Sequence, residues 1–497
     1  MTIRILKIFL LTFAAGLVAG CDPDASGGGG TPDAGRGDFS TFVAIGDSLT
    51  AGYADAALYR QIQRSSLPSI LAQQFARVGG GEFEQPEMPG KATGSLTIAG
   101  VDLGRPDRLM LGATGDPDRP ASPETIKPTE TTAIDLRIAG AGGFHNLGVP
   151  GAKSFHLGLP GYGELTLLAI GINQTANPYF ARFASSDATS MLADAAGLVP
   201  SFFVLWIGTN DIFLYALDGG GTNNAVPPYG TGSTDITNPA LFTLSFNAAV
   251  AALKTASNTG LLINIPDVAT IPYFTTVPHN PIPLSKAQAD AANMAYAPYN
   301  GGLQAAFMAM AIDEDELKQR TISFEKGDKN QLVIIDESLT VVGLPLFRQA
   351  TKRDYIVLPA STRIGKEATP GDPRTIWGVG MALLDSDVLT EFEYGQVEVA
   401  RKAYNKTIKA AADADRDLLF FNASTMFAQL NEEGISYGSG GVTSEFGTGG
   451  AFSLDGVHPT ARGYAVIANE IFKVINDGFN ANVPPVDPNK YTTVFYQ

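Results

Sequence analysis

FVAIGDSLTAGY, residues 42–53, opens with four apolar side chains in a row, Phe42 to Ile45, and then breaks into Gly46, Asp47 and Ser48. An apolar run this short and continuous suits a strand buried on both faces, because alternation is needed only where one face meets water. Gly, Asp and Ser are turn formers, so the strand ends where they begin. Four more runs share this character: Phe144–Leu147, Phe202–Ile207, Leu261–Ile265 and Leu418–Phe421. Helical patterns lie between or after them, at Leu58–Val78, Leu241–Thr255, Ala287–Met310, Ser386–Ala412 and Thr460–Ile475. Such alternation predicts an α/β domain on a parallel sheet of about five strands, with helices on both faces.

Residues 81–143 are rich in Gly, Pro, Thr and Asp, and residues 331–378 add strand-like runs at Leu332–Ile335 and Tyr355–Leu358. Both read as insertions into one domain spanning 39–480, followed by a tail at 481–497. With 497 residues, 44% of them hydrophobic, the chain has ample material for a large core. The net charge of −16 repels phosphate backbones, and no Lys/Arg run is interleaved with aromatics, so nucleic acid is not an expected partner.

The N-terminus speaks to compartment. Arg4 and Lys7 precede an apolar run, Ile8–Gly20, that is short for a bilayer span. The run closes as Leu17-Val18-Ala19-Gly20-Cys21, with the chain's sole cysteine last. This resembles a bacterial lipobox, which implies a signal peptide at 1–20, lipidation of Cys21 and anchoring to a membrane of the cell envelope. The competing reading is an ordinary cleavable signal with an incidental Cys; the position of the only Cys favours the lipobox. Asp22 after that Cys retains some lipoproteins in the inner membrane, but the outer membrane is the favoured expectation. Residues 22–38 (DPDASGGGGTPDAGRGD) read as a flexible tether.

Ser48 lies directly after the first strand, yet a lone GDSL could be only a turn, and the GxSxG elbow of α/β-hydrolases is absent. The C-terminal region supplies a partner in Asp455-Gly456-Val457-His458-Pro459-Thr460, ahead of an amphipathic helix that Thr460 can cap. Asp and His three apart in a tight loop can sit side by side, so that the carboxylate orients one ring nitrogen and frees the other as a base. Of four histidines, His279 sits in a Pro-rich loop, and His145 and His156 have no carboxylate at comparable spacing; His458 is the candidate. Donors for an oxyanion are offered by the glycines of Asn146–Gly151 and by the Asn210 amide in Gly208-Thr209-Asn210-Asp211. All four pieces follow strands or precede the last helix, and sites in open parallel sheets form at the carboxyl ends of strands.

Taken together, GDSLTAGY (Gly46–Tyr53), NLGVPG (Asn146–Gly151), GTND (Gly208–Asp211) and DGVHPT (Asp455–Thr460) resemble the blocks of the GDSL, or SGNH, hydrolase superfamily. They occur in family order over roughly Phe39–Asp477, and the chain also looks like the larger bacterial lipoprotein-type members. The resemblance implies a three-layer α/β/α sandwich with a flavodoxin-like sheet, Ser48 as nucleophile, His458 as base and Asp455 orienting it. It implies an oxyanion hole from the Ser48 N–H, the Gly151 N–H and the Asn210 side chain, with Gly151 preferred to Gly148 on motif register. The implied activity is ester hydrolysis of lipase, esterase or carbohydrate-esterase type through an acyl-serine, with no cofactor. One Cys and scattered His do not make a zinc-type ligand set, so no metal is expected. The chain is about twice a minimal member's length, so substrate analogies do not transfer. Small-molecule, lipid and acylated-glycan esters all suit these residues. The rival readings are a non-catalytic glycan- or lipid-binding lipoprotein and an acyltransferase using the same site.

Overall fold

The five apolar runs come together as one parallel sheet in a computed structural model describing residues 30–89, 94–98, 100–112, 123–125, 132–133, 137–165, 176–221 and 230–495. The strands are β1 (Phe42–Gly46), β2 (Asn146–Gly148), β3 (Phe202–Trp206), β4 (Thr259–Ile263) and β5 (Leu418–Phe421), in spatial order β5-β4-β3-β1-β2. Every residue of β1, β2 and β3 is buried, which is why their sequences are continuous and not alternating. Helices flank the sheet, and neighbouring residues of β5 face different ones. Leu419 lies under Gly478 of the helix Ala461–Phe479, while the Phe420 ring receives Lys409 from the helix Glu391–Asp413. Phe42 of β1 and Phe202 of β3 pack with Phe39 and Phe75 in one aromatic cluster, to which Phe472 and Phe479 of the last helix are joined.

Register sets up the site. Gly46 of β1 pairs with Gly148 of β2 and with Trp206 of β3, so the three strands end level. Gly46 is obligatory there: a Cβ would stand 2.1 Å from the Trp206 carbonyl oxygen and 2.3 Å from Thr50 Oγ1.

The boundaries differ from the sequence reading where capping chemistry intervenes. The pattern Leu58–Val78 is two helices, Arg60–Gln63 and Leu67–Phe75, with a 3-10 turn at Ala76–Val78. Ser66 caps the second by accepting from the Ser69 N–H, and Pro68 has no N–H to continue a helix from upstream. The helix expected from Ser386 begins at Glu391, where Thr390 and Glu393 form a reciprocal capping box. The extra runs of 331–378 pair outside the main sheet: Val333–Ile335 with Phe347–Gln349, and Tyr355–Ile356 with Val388–Leu389.

The expected tether 22–38 is not free at its C-terminal end. Asp33 bridges to Asn482, the Arg36 N–H donates to the Phe479 carbonyl at 2.8 Å, and the Arg36 guanidinium donates to Gly478 O at 2.7 Å. Residues 33–37 therefore pack on the end of the last helix, and the domain begins before Phe39. Residues 481–495 also run back along that helix, with Val483 and Val486 donating to Asn476 and Asn469. The signal segment, Cys21 and part of the insertion 81–143 lie outside the described residues. Among the described residues no helix is long and apolar enough to cross a membrane.

Candidate active site

β1 stops at Gly46, and Asp47 caps a single helical turn, Ser48–Ala51, by accepting from the Leu49 N–H at 3.0 Å. Ser48 thus occupies the first position of that turn, where a backbone N–H has no intrahelical partner. His458 Nε2 lies 2.9 Å from Ser48 Oγ, and His458 Nδ1 lies 2.9 Å from Asp455 Oδ2. With the carboxylate accepting, Nδ1 carries the ring proton and Nε2 is the acceptor facing the serine. The sequence separates Ser48 from His458 by 410 positions, and the fold joins them.

Asp455 is saturated. Its Oδ1 accepts from the Val457 N–H (2.8 Å), the His458 N–H (2.9 Å) and Ser453 Oγ (3.0 Å), while Oδ2 also accepts from the Ala56 N–H at 3.0 Å. Burial works to raise its pKa, but the neighbouring His458 and these donors outweigh it and hold the carboxyl at about 2. It stays charged at any working pH. Asp47 shows the opposite balance. It is fully buried, its Oδ2 has no partner among the described residues, and burial pushes it up to about 7.

The loop after β2 is fastened to the loop after β3. Asn210 Nδ2 donates to the Ala152 carbonyl at 3.0 Å, which leaves its second hydrogen for the cleft. The buried Asp211 accepts from the Ser154 N–H (2.8 Å) and hydroxyl (2.6 Å), and Lys153 Nζ holds the carbonyls of Gly232 and Asp235. From Gly148 to Ser154 the N–H of Gly148, Val149, Ala152, Lys153 and Ser154 each has an acceptor. Pro150 has none to offer. The Gly151 N–H is left without a partner among the described residues, and Gly151 sits at φ +81° on the cleft wall beside Ser48, Asn210 and His458. Gly148 is excluded as a cleft donor because its N–H is taken by Asn146 Oδ1 at 2.9 Å.

The cleft, about 280 Å³, is otherwise lined mostly by apolar side chains, among them Phe213, Leu217, Ile271 and Phe427, with Arg105 and Asp267 the charged residues of its wall. A larger cleft of about 780 Å³ lies beside the first half of the helix Glu391–Asp413, walled also by residues 236–239, Gln319, Asp336, Ser338 and Arg348, but it contains none of the four motifs. Its one guanidinium, Arg348, is already paired with Asp336 and Asp354 at 2.5–2.7 Å. Size favours that cleft and chemistry favours the smaller one; convergent reactive groups are the better guide. Elsewhere, Glu337, Asp385 and Glu393 bring carboxylate oxygens within 4.8 Å of one another. Burial, then repulsion from neighbouring carboxylates, raises Asp385 to about 6; burial outweighs the hydrogen bonds from Thr390 and raises Glu393 to about 7.

Ser48, Gly151, Asn210, Asp455 and His458 are thus brought to one place, while Cys21 falls outside the described residues. Sequence reasoning did not single out Ser453, Asp55, Asn177 or Lys153. Asn177-Pro178 carries the signal of a helix cap, but nothing in the sequence tells what its side chain reaches. No protein-family model, no curated protein and no solved structure matches the chain.

Proposed function

We propose that the chain is a serine ester hydrolase of the SGNH type, with Ser48 as nucleophile, His458 as base and Asp455 as the group that orients it. The observation that carries this reading is the relay Asp455–His458–Ser48, with both links at 2.9 Å, in a cleft that Gly151 and Asn210 also line. The strand order β5-β4-β3-β1-β2 supports the flavodoxin-like, three-layer form of the fold.

In the reaction, Ser48 Oγ attacks the ester carbonyl carbon as His458 Nε2 takes its proton. The carbonyl oxygen becomes an oxyanion, held by the N–H groups of Ser48 and Gly151 and the Asn210 amide. Collapse breaks the C–O bond, and His458 passes the proton to the departing alcohol. A water then gives its proton to His458 and attacks the acyl-serine, releasing the acid and restoring Ser48. Asp455 remains ionised throughout and steadies the imidazolium. The lipobox reading places the enzyme on an envelope membrane, where lipid and acylated-glycan esters are at hand.

The test compares the purified protein with Ser48→Ala on p-nitrophenyl esters from acetate to palmitate. Hydrolysis by the wild type that Ser48→Ala abolishes is the expected result. A folded wild type that is inert on the whole series and unreactive towards a fluorophosphonate probe sinks the proposal.

A further inference from the structure

The Gly151 N–H is usable only if its peptide faces the right way. Val149, Pro150, Gly151 and Ala152 form a β-turn closed by the Ala152 N–H on the Val149 carbonyl at 3.0 Å. Pro at the second position and a glycine at φ +81° in the third mark it as type II. Types I and II differ by a half-turn of the central peptide, here Pro150–Gly151. Proline's fixed φ fits the second position of either type, and glycine tolerates either sign of φ, so the flip is open to this sequence. In the type I form the Pro150 carbonyl oxygen would take the place of the Gly151 N–H on the cleft wall. An acceptor would then meet the negative charge that forms there during ester attack.

One side chain prevents this. Asn177 Nδ2 donates to the Pro150 carbonyl at 2.9 Å, and also contacts Tyr162 Oη at 3.0 Å. Across a trans peptide C=O and N–H point in opposite directions. Holding the oxygen of Pro150 therefore aims the nitrogen of Gly151 the other way, into the cleft. Asn177 is itself fixed from three sides: its N–H donates to the Tyr162 carbonyl at 2.7 Å, and its Oδ1 accepts from the N–H groups of Tyr179 (2.9 Å) and Phe180 (3.4 Å). These backbone partners leave no freedom in the orientation of the amide, because the oxygen must face two N–H groups and the nitrogen a carbonyl. Only 7% of the residue is exposed.

We propose that Asn177 is a positioning residue, a latch that locks the Pro150–Gly151 peptide in its type II orientation so that the Gly151 N–H serves the oxyanion. The assignment rests on the ester-hydrolase reading for its catalytic consequence, though not for the peptide geometry. Asn177→Asp isolates the latch from the helix cap. The retained oxygen still accepts from Tyr179 and Phe180, while the second oxygen meets the Pro150 carbonyl in place of a donor.

Two readouts are taken on the full chain. The first is hydrolysis of p-nitrophenyl butyrate, where Asn177→Asp is expected to lower kcat about 10²-fold, the cost of one oxyanion donor, with KM within about threefold. The second is the Gly151 amide signal after ¹³C′-proline and ¹⁵N-glycine labelling. That labelling selects four Pro–Gly bonds, at Gly90, Gly151, Gly161 and Gly371, and loss of one signal in Gly151→Ala makes the assignment. A moved Gly151 signal with the kcat loss supports the latch. An unmoved signal in the folded variant overturns it, whatever happens to activity. If the wild type proves inert while the signal moves, the latch stands as geometry and the hydrolase reading falls.

Discussion

Replacing Asp455 by Asn tests the relay sharply, because the structure leaves the new amide one way to sit. Oδ1 accepts from two backbone N–H groups, those of Val457 and His458. The amide NH₂ cannot occupy that position without facing both donors, so it takes the place of Oδ2. There it confronts the Ala56 N–H, formerly bonded at 3.0 Å, and that buried conflict should cost about 1–3 kcal/mol of stability. It also donates towards His458 Nδ1, which must now accept. The ring proton moves to Nε2, and Nε2 meets Ser48 Oγ as a donor that cannot take the serine's proton. In a Ser-His-Asp triad the wrong tautomer costs about 10⁴ in kcat, and a fall of about 10³–10⁴ is expected here. The assay is p-nitrophenyl butyrate hydrolysis from pH 6 to 10, with Tm measured alongside. The stability term has its own sign. A carboxyl lowered to about 2 contributes stability that is present above its unfolded pKa, near 4, and is lost as pH falls towards 2. The Tm gap between wild type and Asp455→Asn should therefore shrink below pH 4. A folded variant retaining kcat within about tenfold of wild type refutes the relay.

Asn210→Ala removes a donor to the cleft together with the bond to the Ala152 carbonyl. Its kcat should fall about 10²–10³-fold with little change in KM, and an equal loss confined to KM would assign Asn210 to substrate binding instead. Glu393 sits beside Glu337 and Asp385 with its pKa raised to about 7, mainly by burial. A raised carboxyl loses stability as pH climbs from the unfolded to the folded value, so Glu393→Gln, which can keep an oxygen on the Thr390 N–H, should raise Tm at pH 8 and not at pH 4. The effect should be about 1–3 kcal/mol at pH 8, and a Tm difference independent of pH would contradict it.

The main sheet was legible because its strands are buried on both faces, so Phe42–Ile45 and Phe202–Ile207 read as unbroken apolar runs. Helix starts were less so. Ser66 with Pro68, and Thr390 with Glu393, decide them by local hydrogen bonds that apolar periodicity does not register. The motif residues were visible as types at strand ends. Their supports were not, because each acts across a long sequence gap: Asn177 on the carbonyl of Pro150, Lys153 on those of Gly232 and Asp235. Residues 33–37 differ from a tether for a related reason. Their composition is that of a linker, but their backbone finds partners on the last helix.

The distance from Ser48 to His458 depends on a fastening that composition hides. Ala54 and Ala57 pair across Asp55 and Ala56, both at positive φ (54° and 61°), the tight hairpin turn that usually asks for Asn or Gly. Non-glycine residues there cost about 1–2 kcal/mol each, so the conformation must be held from outside. Three of the holding bonds run to the loop that carries His458. Ala56 N–H donates to Asp455, Asp55 N–H to Ser453 Oγ, and Leu454 N–H to Asp55 Oδ1 at 3.1 Å. Tyr464 Oη adds a bond to the Tyr53 carbonyl from the last helix. The insertion and the C-terminal segment brace the same turn. Arg108 stacks 3.6 Å from the Tyr59 ring centroid, lies 3.9 Å from Asp55 Oδ2 and donates to the Phe495 carbonyl, while Leu109 N–H donates to Asp55 O at 2.8 Å. A turn strained on its own is thereby made the joint between the two ends of the chain. Ser48, anchored after the first strand, and His458, anchored before the last helix, meet because both are tied to that joint.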